Sequence, residues 1–137
     1  VSDRDYELLA SFRRTLRRFM AFSEEAAREV GLTPQQHQAL LAIRGSSRKD
    51  GVTIGELADA LQIRHHSAVG LVDRLVDQAL VRRATAAGDR RQVHLALAPH
   101  AVEVLEDLAA AHRRELRRVG PELRTLLARL ASEEEEA

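Results

Sequence analysis

Residues 64–75, RHHSAVGLVDRL, combine helical apolar spacing with a flank of groups that can bind phosphate or base edges. At roughly 100° per residue, Ala68, Val69, Val72, Leu75, Val76 and Ala79 share one broad face. His66, Ser67, Gly70, Asp73 and Arg74 lie opposite. A mid-helix glycine costs about 1 kcal/mol relative to alanine. On an exposed face it lets the helix backbone come close to a base edge or a phosphate; the plainer reading is a small residue tolerated where nothing is buried. The preceding stretch, QIRHH at 62–66, offers no good N-cap. The free N–H groups and the positive end of the helix dipole are then available to phosphate or to water, with Arg64 and His65 adding charge at that end.

A second group lies at 88–91, GDRR. Arg90 and Arg91 at a tight turn can reach a narrow minor groove, where the potential is most negative. Asp89, two residues before Arg91, can fix the direction of its guanidinium. An exposed charge pair contributes under about 1 kcal/mol, so orientation rather than stability is its use; the alternative is an ordinary solvated turn. Arg82 and Arg83 open the same segment and either touch backbone phosphates or form local salt bridges.

The elements that must carry these residues follow from hydrophobic period. Leu9, Phe12, Leu16, Phe19 and Met20 form one stripe of a helix that Gly31 ends. Thr33, Pro34 and Gln36 predict a capped restart, and Thr53 with Glu56 a second capping box. Ile54, Leu57, Ala58 and Leu61 give a short helix, Gln62-Ile63 a tight break, and residues from about 64 to 79 a longer helix. The period then changes to two. Val93, Leu95 and Leu97 alternate with Gln92, His94 and Ala96, which predicts a β-hairpin over about 81–97. Pro99 starts a helix, Gly120-Pro121 predicts its break, and Leu123, Leu126, Leu127 and Leu130 make a last one. This order is a mainly α chain with a winged helix-turn-helix, in which the second helix enters the major groove.

Composition narrows the function. With 21 basic and 21 acidic residues the net charge is zero, but the distribution is uneven. Residues 44–97 hold 9 basic against 6 acidic residues, net +3, and residues 98–137 hold 6 against 9, net −3. A basic middle and an acidic tail matter more than the total. The absence of cysteine excludes disulfides and thiolate metal sites, and with the charged start VSDRDYELLASFRRTLRRF it predicts a cytoplasmic protein without a secretory leader. No apolar run of about 18 residues predicts a membrane span. There is no Gly-rich phosphate loop, no His-Glu-x-x-His and no nucleophile signature, so no enzyme is expected.

The stretches LTPQQHQALLAI, TIGELADALQIRHHSAVGLVDRLVDQALVRR and DRRQVHLAL together resemble the MarR family of bacterial transcription regulators in order, spacing and motif over nearly the whole chain. The resemblance implies one MarR-type domain with dimerisation helices at 1–31 and 99–131, a winged helix-turn-helix lobe at 33–97 and an acidic tail at 132–137. It implies a homodimer that binds double-stranded DNA at a pseudo-palindromic operator, as a repressor released by a small anionic or phenolic effector. Ser67 and its neighbours fall at recognition-helix positions, Arg91 at the wing arginine and Asp89 at its buttress. Two departures are visible. Ala79 stands where the family usually has glycine, which predicts a helix end without its left-handed residue. Leu97-Ala98 replaces the usual Leu-Thr, losing an N-cap worth about 1 kcal/mol.

The DNA-contacting set expected from all this is Arg64, His65, His66, Ser67, Gly70, Arg74, Arg82, Arg83, Asp89, Arg90 and Arg91. Effector candidates by helix position are Arg17, Met20, His37, Leu41 and His112, with no cofactor. Two alternatives remain. One is a metal-responsive regulator in which His37, His100 and His112 gather with Glu24 or Glu25, although lone histidines at helical spacing are more often packed or solvated than ligands. The other is a protein-interaction module that has lost DNA binding. The apolar stripes on the terminal helices each need a partner, which predicts a two-fold dimer.

Overall fold

A computed structural model of the chain describes residues 1–47, 51–86 and 89–132, with the backbone alone for residues 86 and 89–91. Five helices and three strands are formed: α1 Asp3–Glu29, α2 Pro34–Arg44, β1 Val52–Thr53, α3 Ile54–Leu61, α4 His65–Asp77, β2 Val81–Ala86, β3 Asp89–Leu97 and α5 Pro99–Leu130. The chain is mainly helical, with a winged-helix arrangement of α2, α3, α4 and a small antiparallel sheet. It divides into two compact units, one of Val1–Ala26 with Ala109–Ala137 and one of Ala27–Leu108.

Local chemistry sets most boundaries in the Ala27–Leu108 unit. Both expected capping boxes form. Thr33 Oγ1 accepts from the Gln36 N–H at 3.1 Å while Gln36 Oε1 accepts from the Thr33 N–H at 3.0 Å. Thr53 and Glu56 repeat the pattern at 3.1 and 3.3 Å. Gly31 closes α1 at φ 81, with the Leu32 N–H bonded to Ala27 O and the Gly31 N–H to Arg28 O. That pair of bonds satisfies two carbonyls the helix would otherwise leave open.

The end of α4 corrects an expectation. Ala79 does take the left-handed conformation, φ 58, and the Leu80 N–H reaches Leu75 O while the Ala79 N–H reaches Val76 O. Burial explains how an alanine is held there. Leu75 is fully buried and Leu80 nearly so, and the same turn that brings them together forces the strained residue between them. Gln62, φ 55, closes α3 in the same way.

The core of this unit is built from Leu40, Leu57, Leu71, Val72, Leu75, Val81 and Leu95, all fully buried. The sheet has order β1-β3-β2. The hairpin was expected; the two-residue β1, pairing Val52 with Leu95 and Thr53 with His94, was not. In β3 both His94 and Leu95 are buried while Val93 is exposed, so burial there does not simply alternate. β1 lies close against these residues. Gly51 makes this possible: at φ 93 it lies so close that a Cβ would collide with the Leu95 carbonyl and meet His94 Cβ at 3.5 Å.

In the other unit, Leu8, Val119 and Leu126 are buried with the polar Thr15 and Ser23. Thr15 Oγ1 lies 3.0 Å from Ser11 O and 3.4 Å from Glu122 Oε1. The expected break at Gly120-Pro121 does not occur. Pro121 sits inside α5, which runs on to Leu130. An interior proline removes one backbone bond and costs about 3 kcal/mol, but Val119 and Leu126 are buried on either side of it, and Thr125 Oγ1 donates to Pro121 O at 3.0 Å. Packing carries the helix through.

Candidate nucleic-acid interface

α4 begins without a side-chain cap, since Arg64 occupies the N-cap position and makes no capping hydrogen bond. Its first-turn N–H groups therefore remain for an external acceptor. Arg64, His65, His66 and Ser67 are all exposed there, so this end of the helix presents donors, positive charge and a hydroxyl together. The other side of α4 is anchored by Ala68, Leu71, Val72 and Leu75, which fixes the rotation of the exposed face.

Gly70 lies on that outward side, half-buried. A Cβ placed on it would meet only Arg74 Nη1, at 3.6 Å. The guanidinium of Arg74 therefore lies over the bare backbone one turn away, and there is room beneath it for a methyl group. Gly70 is not required by the packing of the free protein.

The helix α4 and the hairpin are tied directly. Arg83 Nη2 pairs with Asp73 Oδ1, linking β2 to α4. Of the two readings open for Arg83 in the sequence, the local salt bridge is the one formed. Arg82 is exposed and points to the other side of β2, as the two-residue strand period requires. Arg83 pairs across the sheet with Leu95, and Arg82 with Ala96. The sequence puts Asp73 on the exposed face of α4 and assigns it no role. The only sequence signal for its partner is an opposite charge ten residues on, which many solvated acids share.

Gly88 lies outside the described residues, and so do the side chains of Asp89, Arg90 and Arg91; their backbone begins β3. The register shift between Thr85 and Ala86 comes just before this tip.

The effector candidates divide between the units. Arg17 and Met20 are exposed in the Val1–Ala26 and Ala109–Ala137 unit. In the same unit His112 Nε2 lies 2.7 Å from Ser23 Oγ, with the Phe19 and Phe22 rings edge-on at 5.9 and 5.3 Å. His37 is buried and Leu41 exposed in the Ala27–Leu108 unit. His100 is exposed at the start of α5. Among the described residues, no three His, Cys, Asp or Glu side chains are grouped to hold a metal ion, and no helix is long and apolar enough to cross a membrane.

Comparison with known proteins places this arrangement. Residues 30–92 match the family model described as the MarR family. No curated protein matches the chain in sequence. Solved structures do. A MarR family protein from Bacillus stearothermophilus is 23% identical, with TM-score 0.74 over 87% of this chain and 81% of its own. A mutant MepR from Staphylococcus aureus, bound to an oligodeoxyribonucleotide, is 21% identical, with TM-score 0.65 over 93% and 86%. MarR of Staphylococcus aureus, in complex with salicylate and kanamycin, is 20% identical, with TM-score 0.69 over 85% and 76%. At these identities the likeness establishes the fold.

Proposed function

We propose, from a chain whose residues 30–92 match the MarR family and whose fold is that of solved MarR-type regulators, that it is a homodimeric, sequence-specific regulator of transcription. The observation that carries this reading is the outward face of α4. An uncapped, arginine-flanked helix N-terminus stands next to Ser67, His66 and a bare backbone at Gly70, and β2 of a basic hairpin is bonded to the same helix. Helix N–H groups and arginines hold phosphates, while a hydroxyl, an imidazole and a close backbone read base edges in the major groove. For the wing tip the proposal rests on the sequence resemblance, which puts Arg91 where the family's wing arginine enters the minor groove and Asp89 at its buttress.

Dimerisation is supported by large apolar side chains that stay substantially exposed among the described residues. Tyr6, Leu9 and Met20 on α1 are 63%, 46% and 53% exposed, and Leu116 and Leu127 on α5 are 44% and 51% exposed. On α1 these residues fall on a face roughly 135° from the one that buries Leu8 and Thr15. A second apolar stripe on an already packed helix is an interface in waiting, and a two-fold axis places two recognition helices one DNA turn apart. A salicylate-bound relative of the same fold supports a small anionic or phenolic effector, which makes release of a repressor the expected mode of control. Arg17, Met20, His37, Leu41 and His112 are its candidate contacts.

The test is selection of bound duplexes from random DNA, followed by affinity measurements at increasing salt. The expected result is a two-fold symmetric operator and a log–log salt dependence with a slope of about −0.9 per phosphate neutralised. A flat salt response, or no enriched sequence, refutes the reading.

A further inference from the structure

The α4 face turned toward DNA in this reading carries an acid, Asp73, between Gly70 and Arg74. Duplex DNA presents about one negative charge per 1.7 Å of its axis, and like charges brought together at an interface repel strongly. A bare carboxylate on that face opposes binding. It is not bare: Arg83, from β2, pairs with it. Both side chains are wet, at 39% exposed for Arg83 and 56% for Asp73. An ion pair in that setting adds little to stability, so fold stability does not account for its position. The pair instead joins, at one point, the two elements that reach DNA.

We propose that Arg83 is a positioning residue. It acts on DNA through Asp73, masking the carboxylate and fixing the base of the wing to the recognition helix, and it does not itself hold a phosphate. Arg82, exposed on the opposite side of the same strand, is the residue of that pair left for the backbone. This inference rests on the DNA-binding reading above.

The experiment is a four-protein cycle of wild type, Asp73→Asn, Arg83→Gln and the double variant. Affinity is measured on the operator that wild type selects and on an unrelated duplex of equal length, over a range of salt. Melting and sedimentation establish that each variant is folded and assembled as wild type is. Arg83→Gln exposes the carboxylate and is expected to weaken operator binding on the order of tenfold or more. The double variant removes both charges, so the net charge of the pair is unchanged. It should recover to within about threefold of wild type, with an unchanged salt slope. Asp73→Asn alone frees a cation, so it should tighten binding to unrelated DNA and lower the ratio of specific to non-specific affinity. If the double variant binds as weakly as Arg83→Gln, with a salt slope shallower by about 0.9, Arg83 is a phosphate ligand and the proposal falls. It falls equally if Asp73→Asn tightens operator binding with the ratio intact, because the carboxylate is then a bystander. A wild type that binds no selected duplex overturns the regulator reading itself, an outcome distinct from an unrescued double variant.

Discussion

Replacing Gly70 by alanine should separate stability from function in opposite directions. In the free protein the added methyl meets only Arg74 Nη1, at 3.6 Å, which is ordinary van der Waals contact. The residue is in the interior of α4, where Gly→Ala gains about 0.8–1 kcal/mol of helix propensity. Part of that gain comes from reducing the freedom of the unfolded chain. For a domain of this size, the change corresponds to a rise in Tm of about 3–5 °C. The assay is thermal unfolding of variant and wild type at equal protein concentration, because a dimer's Tm depends on concentration. DNA binding should move the other way. If the α4 backbone approaches a base edge at Gly70, a methyl there forces the helix out and weakens neighbouring contacts worth about 1–3 kcal/mol in discrimination, or about five- to 150-fold in operator affinity. Binding to unrelated DNA, which depends on phosphates, should change much less. A variant that is more stable and binds its operator as well as wild type does would refute the close-approach argument. A variant that is less stable would refute the space argument.

Ala79→Gly supplies the matched comparison: it relieves a left-handed alanine at φ 58, so stability should rise by about 1 kcal/mol with operator affinity unchanged, as melting and binding on the same samples would show. Leu9→Glu combined with Leu127→Glu places charges in the two exposed apolar stripes, and sedimentation should show wild-type dimers giving way to monomers; a wild-type monomer would sink the interface. Asp89→Ala should weaken operator binding if the acid directs Arg91, whereas electrostatics alone gives tighter binding, so the sign of the measured change decides. The Arg118 guanidinium, 2.5 Å from Glu115, holds that carboxyl below its ordinary value of 4.5. An NMR titration should therefore find the Glu115 midpoint below 4.5 in wild type and higher in Arg118→Ala. Because the folded value is the depressed one, the pair's contribution to stability is present above the unfolded value and fades as pH falls through the folded one; a stability profile that strengthens on acidification through that window would contradict it.

Features that depend on near neighbours in the chain could be read from the sequence. The Thr33–Gln36 and Thr53–Glu56 boxes need only a hydroxyl and an acceptor three residues apart, and both were legible. The buried face of α4 was legible in part: Ala68, Val72 and Leu75 are buried as their spacing predicts, but Leu71, outside the expected face, is buried beside them, while Val69 and Val76 are only half-buried and Ala79 is exposed. The outward placement of His66, Ser67 and Gly70 follows from that face by elimination. The alternation of β3 announced the hairpin, but it put Val93 rather than His94 on the apolar face, and His94 is the one buried. β1, two residues long, is invisible by periodicity, because its pairing with Leu95 and His94 joins residues about 40 apart in the chain. Pro121 marks a helix end by every local rule. It lies mid-helix because Val119 and Leu126 are buried on both sides of it, and burial of that kind can outweigh one lost backbone bond. Ala79 has no local reason to be left-handed; the burial of Leu75 and Leu80 imposes it. Asp73 carried no assigned role in the sequence, and for Arg83 a phosphate contact and a local salt bridge were both open. Only the docking of β2 against α4 brings them together, because an ion pair between elements has no signature until the elements meet.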